Sequence, residues 1–221
     1  MGLVSALSTA RFTRYNGWAG GNVDLAERLY TYNVHLSERF YPVLHGLEIA
    51  LRNKSADALE TAFGQAWYDD SVVCDGPYLA NCVADARNVL KKTNKPDTRD
   101  NIVAELSFGF WTGLFGKSQP RWGALRPIFS SPSMQRKKVA IRLDGIRRLR
   151  NRIAHHEPIL AMPLSTLKEE ILDLTKALSI ETFQWVGDTS QLLLPPIAII
   201  KTDSVTGIDR FDFSLLGSLT G

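Results

Sequence analysis

Residues 135–158 read QRKKVAIRLDGIRRLRNRIAHHEP, and the pattern of this stretch predicts a helical fold. Apolar side chains recur along it at the spacing of one helix face, at Val139, Leu143, Ile146, Leu149 and Ile153. Such a stripe is stable only when it is buried against other helices. We therefore predict a helix that is capped by Ser133, runs to His156 and stops before Pro158.

The same stretch carries much of the positive charge of the chain. Residues 135–152 contain eight basic residues and one acidic residue, whereas the rest of the chain has 18 basic and 22 acidic residues. The formal net charge of the whole chain is only +3. A concentrated positive segment is expected where a protein faces a polyanion. A solvated helix face is the alternative interpretation, but the adjacent histidines favour the polyanion.

The rest of the chain also shows helical periodicity. At 221 residues, with 44% hydrophobic and 22% charged residues, it has the composition of an ordinary soluble globular domain. Pro42 is expected to start a new helix, because proline is well placed in a first turn. The fold class predicted is all-α, with helices over residues 23–40 (capped by Asn22), 42–63, 78–92, 97–106 and 164–179, and shorter pieces over 108–116 and 121–129.

The C-terminal tail differs from the helical part. Residues 192–200 are apolar but contain a double proline, so they cannot be helical throughout. Two extended runs, residues 197–201 and 208–213, predict a short β-hairpin or an irregular arm. We divide the chain into an N-terminal helical segment (1–21), a helical domain (22–187) and this tail (188–221).

Cysteine content and apolar runs point to a cytoplasmic protein. Cys74 and Cys82 match no zinc-ligand spacing, and two cysteines do not make a disulfide framework. We therefore expect reduced thiols and neither a metal nor a cofactor. The N-terminus lacks the pattern of a signal peptide. No apolar run reaches the roughly 18–20 residues that span a bilayer, so no membrane contact is expected.

The basic stretch also combines fixed cations with histidine. Residues 147–156 contain four arginines, one asparagine and two of the four histidines of the chain. Arginine stays charged at all relevant pH values, whereas histidine can take and give a proton near neutrality. A phosphodiester can be cleaved without a metal by a cationic clamp and a proton-transfer group. This composition therefore predicts a metal-independent phosphodiester-cleavage site.

Helix geometry sorts these residues into rows. Residues three or four apart are neighbours, so Arg147, Asn151 and His155 share one face. The adjoining row consists of Arg148, Arg152 and His156. Arg150 lies about 140° around the helix from His155, so one straight helix does not bring both to one atom. Either the helix end unwinds or a second subunit supplies the complement, and this favours a symmetric dimer.

Structural roles are the alternative for several of these residues. A histidine near the last turn, such as His155, would also interact well with the helix dipole. The arginines of the adjoining row could simply be solvated. Glu48 and Arg52, at i and i+4, either form a helix-stabilising ion pair or reach the same pocket as the basic stretch. The isolated histidines are expected to be structural, namely His35 and His45.

Three sequence blocks occur in a fixed order along the chain. They are FYPVL (40–44) with LEIALRN (47–53), then FGFW (108–111), then RNRIAHHEP (150–158). Together they resemble the Abi-like (abortive infection) proteins of the HEPN superfamily, and Arg150-Asn151-x-x-x-His155 is similar to its Arg-x4–6-His motif. The resemblance covers residues 22–179. It implies a four-helix core bundle with extra helices, in a homodimer whose motif helices meet at a shared cleft.

The resemblance further implies metal-independent RNA cleavage by a toxin or anti-phage effector. It gives proton transfer to His155, the phosphate clamp to Arg150, and orientation of the phosphate or of His155 to Asn151. Auxiliary or RNA-binding roles fall to Arg147, Arg148, Arg152, His156, Glu157, Glu48 and Arg52. The implied reaction is attack of a ribose 2′-OH on the adjacent phosphorus, which leaves a 2′,3′-cyclic phosphate and a 5′-OH. Implied partners are RNA, a second copy of the chain and, for a toxin, an antitoxin protein.

Two other functions compete with cleavage. Many HEPN domains are non-catalytic, so the chain could bind RNA or dimerise without cutting anything. It could also sense a phage component through the aromatic residues 108–111. Exposure of that aromatic segment would favour a sensing role, and its burial would weaken it.

Overall fold

The computed structural model describes residues 6–189, 200–202 and 209–211, and helices dominate this part of the chain. The all-α class is therefore confirmed. The described residues form nine α-helices: α1 (Thr9–Trp18), α2 (Val23–Phe63), α3 (Pro77–Lys92), α4 (Arg99–Glu105), α5 (Phe108–Gly113), α6 (Gln119–Leu125), α7 (Arg136–Ala154), α8 (Leu164–Leu178) and α9 (Ile180–Thr189). Two short 3₁₀ turns, Trp67–Asp69 and Arg126–Ile128, follow α2 and α6.

Helix α2 is 41 residues long and continues through Pro42, so the predicted break there is wrong. Asn22 caps the helix as predicted, because its side chain accepts a hydrogen bond from the Leu25 N–H at 3.1 Å. Proline inside a helix costs roughly 3 kcal/mol. Phe40 and Val43, on either side of it, are fully buried. Each such side chain contributes about 1.5–3 kcal/mol on burial, which outweighs the lost hydrogen bond.

Helices α1, α8 and α9 pack against α2. Phe12 and Tyr15 of α1 are buried, so the N-terminal segment shares the core of the helical domain. Helix α9 contacts α2 at Gly46, where an added Cβ would collide with the buried side chain of Val186. The absence of a side chain at Gly46 therefore allows α9 to lie directly on α2.

The aromatic segment of residues 108–116 forms α5 and lies in the core. Phe108, Phe110 and Trp111 are each at most 1% exposed. The indole N–H of Trp111 is satisfied, because it donates to the Leu106 carbonyl at 3.1 Å. This burial weakens the hypothesis that the segment senses a partner at the surface.

The basic helix α7 is shorter than predicted at both ends. It begins at Arg136, and Gln135 precedes it without a side-chain capping bond. The hydroxyl of Ser133, the expected cap, is hydrogen-bonded instead to that of Ser131 at 2.8 Å. The apolar stripe is buried as predicted except at Ile153, which is half-buried. The C-terminal end of α7, at Ala154, belongs to the site described below.

The tail contributes two short strands to the described part of the chain. β1 (Ile200–Thr202) pairs antiparallel with β2 (Asp209–Phe211), with Ile200 opposite Phe211. Residues 190–199, 203–208 and 212–221 lie outside the described residues. A terminal hairpin arm therefore stays a prediction. Among the helices that the structure describes, none is long and apolar enough to cross a membrane.

Candidate active site

The C-terminal end of α7 is a Schellman motif, and the prediction that the helix runs to His156 is wrong. The Glu157 N–H bonds to the Arg152 carbonyl at 2.8 Å, and the His156 N–H bonds to the Ile153 carbonyl at 3.0 Å. His156 adopts the left-handed conformation, with φ of +56°. This motif satisfies carbonyls that would otherwise lack partners, and it turns the chain before a proline that cannot continue the helix.

The two histidines consequently take different positions. The His155 N–H still bonds to the Asn151 carbonyl at 2.9 Å, so its backbone stays one turn beyond Asn151 in helical register. His156 leaves the helix, and its predicted place in a row with Arg148 and Arg152 is wrong. Both imidazoles are exposed. Within the described residues, the His155 side chain makes no hydrogen bond or ion pair, so its nitrogens face solvent.

The loop that follows α7 is fixed by a buried asparagine of α2. Asn33 is 4% exposed, and its Oδ1 accepts a hydrogen bond from the Ile159 N–H at 2.7 Å. Its Nδ2 donates to the Glu157 carbonyl at 3.5 Å. From α1, Arg11 donates to the His156 carbonyl at 3.3 Å. Asn33 and Arg11 were missed from sequence, because their contacts join residues more than 120 positions apart and follow no local spacing.

Arg152 also acts on this loop. Its guanidinium donates to the Pro158 carbonyl at 2.9 Å, and its Nε lies 3.8 Å from the Glu157 carboxylate. These contacts orient Arg152 toward its own chain rather than toward solvent. In this structure Arg152 and Glu157 therefore support the position of the helix end.

A cleft of about 330 Å³ separates α2 from the end of α7. Arg150 enters it and pairs with Glu48, with 3.4 Å between Nε and Oε2. The Arg150 side chain is 39% exposed, and Glu48 is its one ion-pair partner among the described residues. The cleft is lined by Ala154, which directly precedes His155, but not by His155 itself. Its lining comprises Tyr41, Leu44, His45, Glu48, Ile49, Arg150, Ile153 and Ala154.

The expected ion pair between Glu48 and Arg52 is absent from the described ion pairs. Arg52 donates instead to the side-chain oxygen of Asn53 at 3.2 Å, and Glu48 pairs with Arg150. Glu48 therefore reaches the candidate site, whereas Arg52 does not line the cleft. Glu48 pairs with a residue of α7. The spacing of residues within α2 cannot predict a contact with another helix.

Several other cations of α7 are already paired within the protein. Their partners are Phe115 and Gly116 carbonyls for Arg136, Asp173 for Arg142, and Asp144 for both Arg147 and Arg148. The helix therefore does not present one continuous strip of unpaired charge. Near the histidines, Arg152 is hydrogen-bonded to the Pro158 carbonyl, whereas Arg150 makes only the ion pair with Glu48 at 3.4 Å among the described residues.

A second charged cluster is formed by residues of the N-terminal half of the chain, which line a cavity of about 710 Å³. Arg87 forms a two-pronged pair with Asp69 at 2.6 and 2.7 Å and a further bond to Asp97 at 2.8 Å. These hydrogen bonds lower the pKa of Asp69. Nearby, burial raises the pKa of the Cys74 thiol to about 11, so this thiol stays neutral. We refer to Arg87, Asp69 and Asp97 as the Arg87 cluster.

Metal-ligating residues are not grouped in the part of the chain described. No set of three or more His, Cys, Asp or Glu side chains there is arranged to hold a metal ion. No protein-family model matches the chain, and no curated protein and no solved structure is significantly similar to it. The function is therefore argued from the geometry of the cleft between α2 and α7.

Proposed function

We propose that this chain is a metal-independent endoribonuclease of the HEPN type, with Arg150 and His155 at its reaction centre. One observation carries the proposal. Arg150 lines a cleft and makes one ion pair with the described residues, at 3.4 Å, and the exposed His155 directly follows Ala154, another lining residue, on a hydrogen-bonded helix end. A guanidinium with unoccupied donors binds a phosphate well, and an exposed imidazole can transfer protons near neutral pH.

The reaction uses the nucleophile that RNA itself carries. The 2′-oxygen attacks the adjacent phosphorus, the bond from phosphorus to the 5′-oxygen breaks, and a 2′,3′-cyclic phosphate remains. The 2′-hydroxyl proton passes to a neutral imidazole, and the departing 5′-oxygen receives a proton from an imidazolium. Arg150 stabilises the charge that develops on the non-bridging oxygens. Asn151, one turn before His155, orients the phosphate or the imidazole.

The reaction needs a neutral imidazole that takes a proton and an imidazolium that gives one, and two copies of the chain could supply the two groups. A symmetric dimer would bring the second copy of His155 to the same phosphate. We therefore include a homodimer in the proposal, with α7 of each copy facing the other. The biological role proposed is that of a cytoplasmic toxin or anti-phage effector, which an antitoxin protein would restrain.

The test is cleavage of RNA by the purified protein in the presence of EDTA. We expect fragments with 2′,3′-cyclic phosphate and 5′-hydroxyl ends, and we expect His155→Ala to abolish cleavage without loss of helix content. His35→Ala is the matched control, because His35 is an exposed histidine on α2 outside the cleft. Full activity of the His155→Ala protein, or cleavage that EDTA abolishes, contradicts the proposal.

RNA binding without cleavage is the second candidate, and it is favoured because His155 is not among the residues that line the cleft. A carboxylate 3.4 Å from the guanidinium competes with a phosphate for the same cation. Glu48→Gln removes this competition while keeping the shape of the side chain. If the wild-type protein and Glu48→Gln both bind RNA and neither cuts it, the chain is a binding module.

A further inference from the structure

Three neighbouring aromatic rings extend from the lining of the cleft to α9, and we call Tyr41, His45 and Trp185 the aromatic row. Tyr41 and His45 are four residues apart on α2, with ring centroids separated by 6.0 Å and planes inclined by 18°. Trp185 of α9 continues the row, with its ring centroid 6.1 Å from that of His45. The rings therefore come from two helices that the fold brings side by side.

The row is exposed, although rings of this size are usually buried. Tyr41 is 67% exposed and Trp185 is 46% exposed. Both differ from the rings of α5, which lie in the core at 1% exposure or less. Exposed, adjacent aromatic side chains on a soluble domain point to a binding surface.

The placement of Trp185 follows from the packing of α9 on α2. Val186, the next residue, is fully buried against Gly46, and Gly46 directly follows His45. The contact that needs a glycine therefore also fixes the tryptophan beside the histidine. Because two helices in close contact hold the row, its geometry is preformed.

The row is continuous with the cleft that holds Arg150. Tyr41 and His45 line that cleft together with Arg150 and Glu48. A ligand that lies across both would meet flat apolar rings at one end and a guanidinium at the other. Unpaired nucleotides combine these two chemistries, because each carries a flat base and an anionic phosphate.

We propose that the aromatic row is a stacking subsite for an unpaired base of single-stranded RNA, next to the phosphate that Arg150 binds. The inference rests on the proposed ribonuclease function and adds its substrate class, which is unpaired rather than double-stranded RNA. Stacking tolerates any base, so the subsite confers a preference for single strands rather than for a sequence. In a duplex the base is stacked on its neighbours and is not available to the row.

The test measures binding of a 2′-O-methyl oligonucleotide, which lacks the nucleophile and cannot be cleaved. Fluorescence anisotropy of a labelled single strand gives the dissociation constant. We expect Tyr41→Ala and Trp185→Leu each to weaken binding by about tenfold, the effect of removing one stacking ring. Trp185→Phe keeps a ring and should restore most of the affinity.

Three controls test whether the effect is specific to the aromatic row and to an unpaired base. Tyr78→Ala removes another exposed tyrosine, at 54% exposure, that lines a different cavity, and it should bind like the wild type. An oligonucleotide with abasic sites should bind equally well to the wild type and to Tyr41→Ala. A base-paired duplex should also fail to distinguish these two proteins.

The outcomes distinguish this inference from the proposed function. If the intact protein binds single strands through the row but cuts no RNA, the subsite stands and the ribonuclease proposal fails. If the protein cuts RNA and the Tyr41→Ala and Trp185→Leu proteins keep the wild-type KM and affinity, the subsite is overturned. Dissociation of a dimer by Tyr41→Ala, without loss of affinity per site, would instead assign the row to contact between copies and would also overturn the inference. Tyr41→Ala keeps these outcomes interpretable even if Trp185→Leu misfolds, because Tyr41 is on the surface.

Discussion

The cleft between α2 and α7 and the Arg87 cluster each hold a half-exposed arginine beside carboxylates, but they differ in how the donors are used. The side chains of Arg87 and Arg150 are 35% and 39% exposed. Arg87 directs three donor atoms at carboxylate oxygens between 2.6 and 2.8 Å away. Arg150 makes one ion pair with the described residues, at 3.4 Å.

This difference shows that exposure alone does not identify an arginine that can bind a ligand. To bind a phosphate, Arg87 would have to break three charge-assisted hydrogen bonds, which are the strong kind. Arg150 would give up one long contact. The number of unoccupied donors therefore distinguishes a structural arginine, such as Arg87, from one that can bind a ligand, such as Arg150.

The largest effect is expected for Arg150→Ala in the cleft. RNA cleavage should fall by about 100- to 1000-fold, the range seen when one transition-state contact to an oxyanion is removed. The free energy of unfolding should change by about 1 kcal/mol or less, because the ion pair is partly exposed and its contact is long. Cleavage kinetics and urea denaturation measure the two quantities. Lys137→Ala is the control for charge on the same helix, and an equal loss of activity there would show that charge alone matters.

The next largest effect is expected for Gly46→Ala. The new methyl group meets the Val186 side chain, so α9 must shift, and overpacking of this kind costs about 1–3 kcal/mol. Thermal or urea denaturation gives the loss. Gly123→Ala is the matched control, since no atom lies within 4 Å of a Cβ there. Its stability should be unchanged or raised by up to about 1 kcal/mol, because alanine is the better helix former.

A smaller effect is expected for Arg87→Ala in the Arg87 cluster. The variant loses a network of surface ion pairs, so the free energy of unfolding should fall by about 1 kcal/mol. Cleavage by the folded protein should not change, because the cluster lies outside the cleft. Loss of cleavage in a protein that remains folded would reverse the assignment of the two regions.

The smallest effect is a pH dependence of stability that comes from Asp69. The Arg87 hydrogen bonds hold the pKa of this carboxyl below its ordinary value of 3.8, so the folded state favours the charged form. This contribution is present above the unfolded-state pKa and is lost as pH falls through the lower folded-state pKa. Urea denaturation between about pH 6 and pH 2 should show the loss. The slope should be shallower in Arg87→Ala, and identical slopes would contradict the assignment.

The sequence predicted those parts of the fold in which local pattern and tertiary packing agree. Helix α3 and the buried stripe of α7 follow directly from apolar spacing, and both occur close to their expected positions. The predicted break at Pro42 was wrong. Burial of Phe40 and Val43 stabilises the continuous helix by more than the local preference of proline for a first turn opposes it. Helix propensity depends on residues within one turn, whereas the burial of Phe40 and Val43 depends on the packing of the whole core.

The candidate site was predicted less completely, because its contacts are long-range. Composition singled out residues 147–157, and the choice of Arg150, Asn151 and His155 within them came from the resemblance of the three sequence blocks. That Glu48 pairs with Arg150 required the packing of α2 on α7. His45 was expected to be structural, but it lines the cleft and stacks beside Tyr41. The Tyr41 and His45 positions at i and i+4 were visible in the sequence, although nothing in it placed Trp185 beside them.

Helix α2 fixes the distance between two parts of the site. This one continuous helix carries both the residue that anchors the loop after α7 and residues that line the cleft. Asn33 holds the loop after His155, and Glu48, about four helical turns further along α2, contacts Arg150. Inserting or deleting one residue between Asn33 and Glu48 would rotate one group relative to the other by about 100°. A change in the length of this segment should therefore disturb the site more than an exchange of exposed side chains along it.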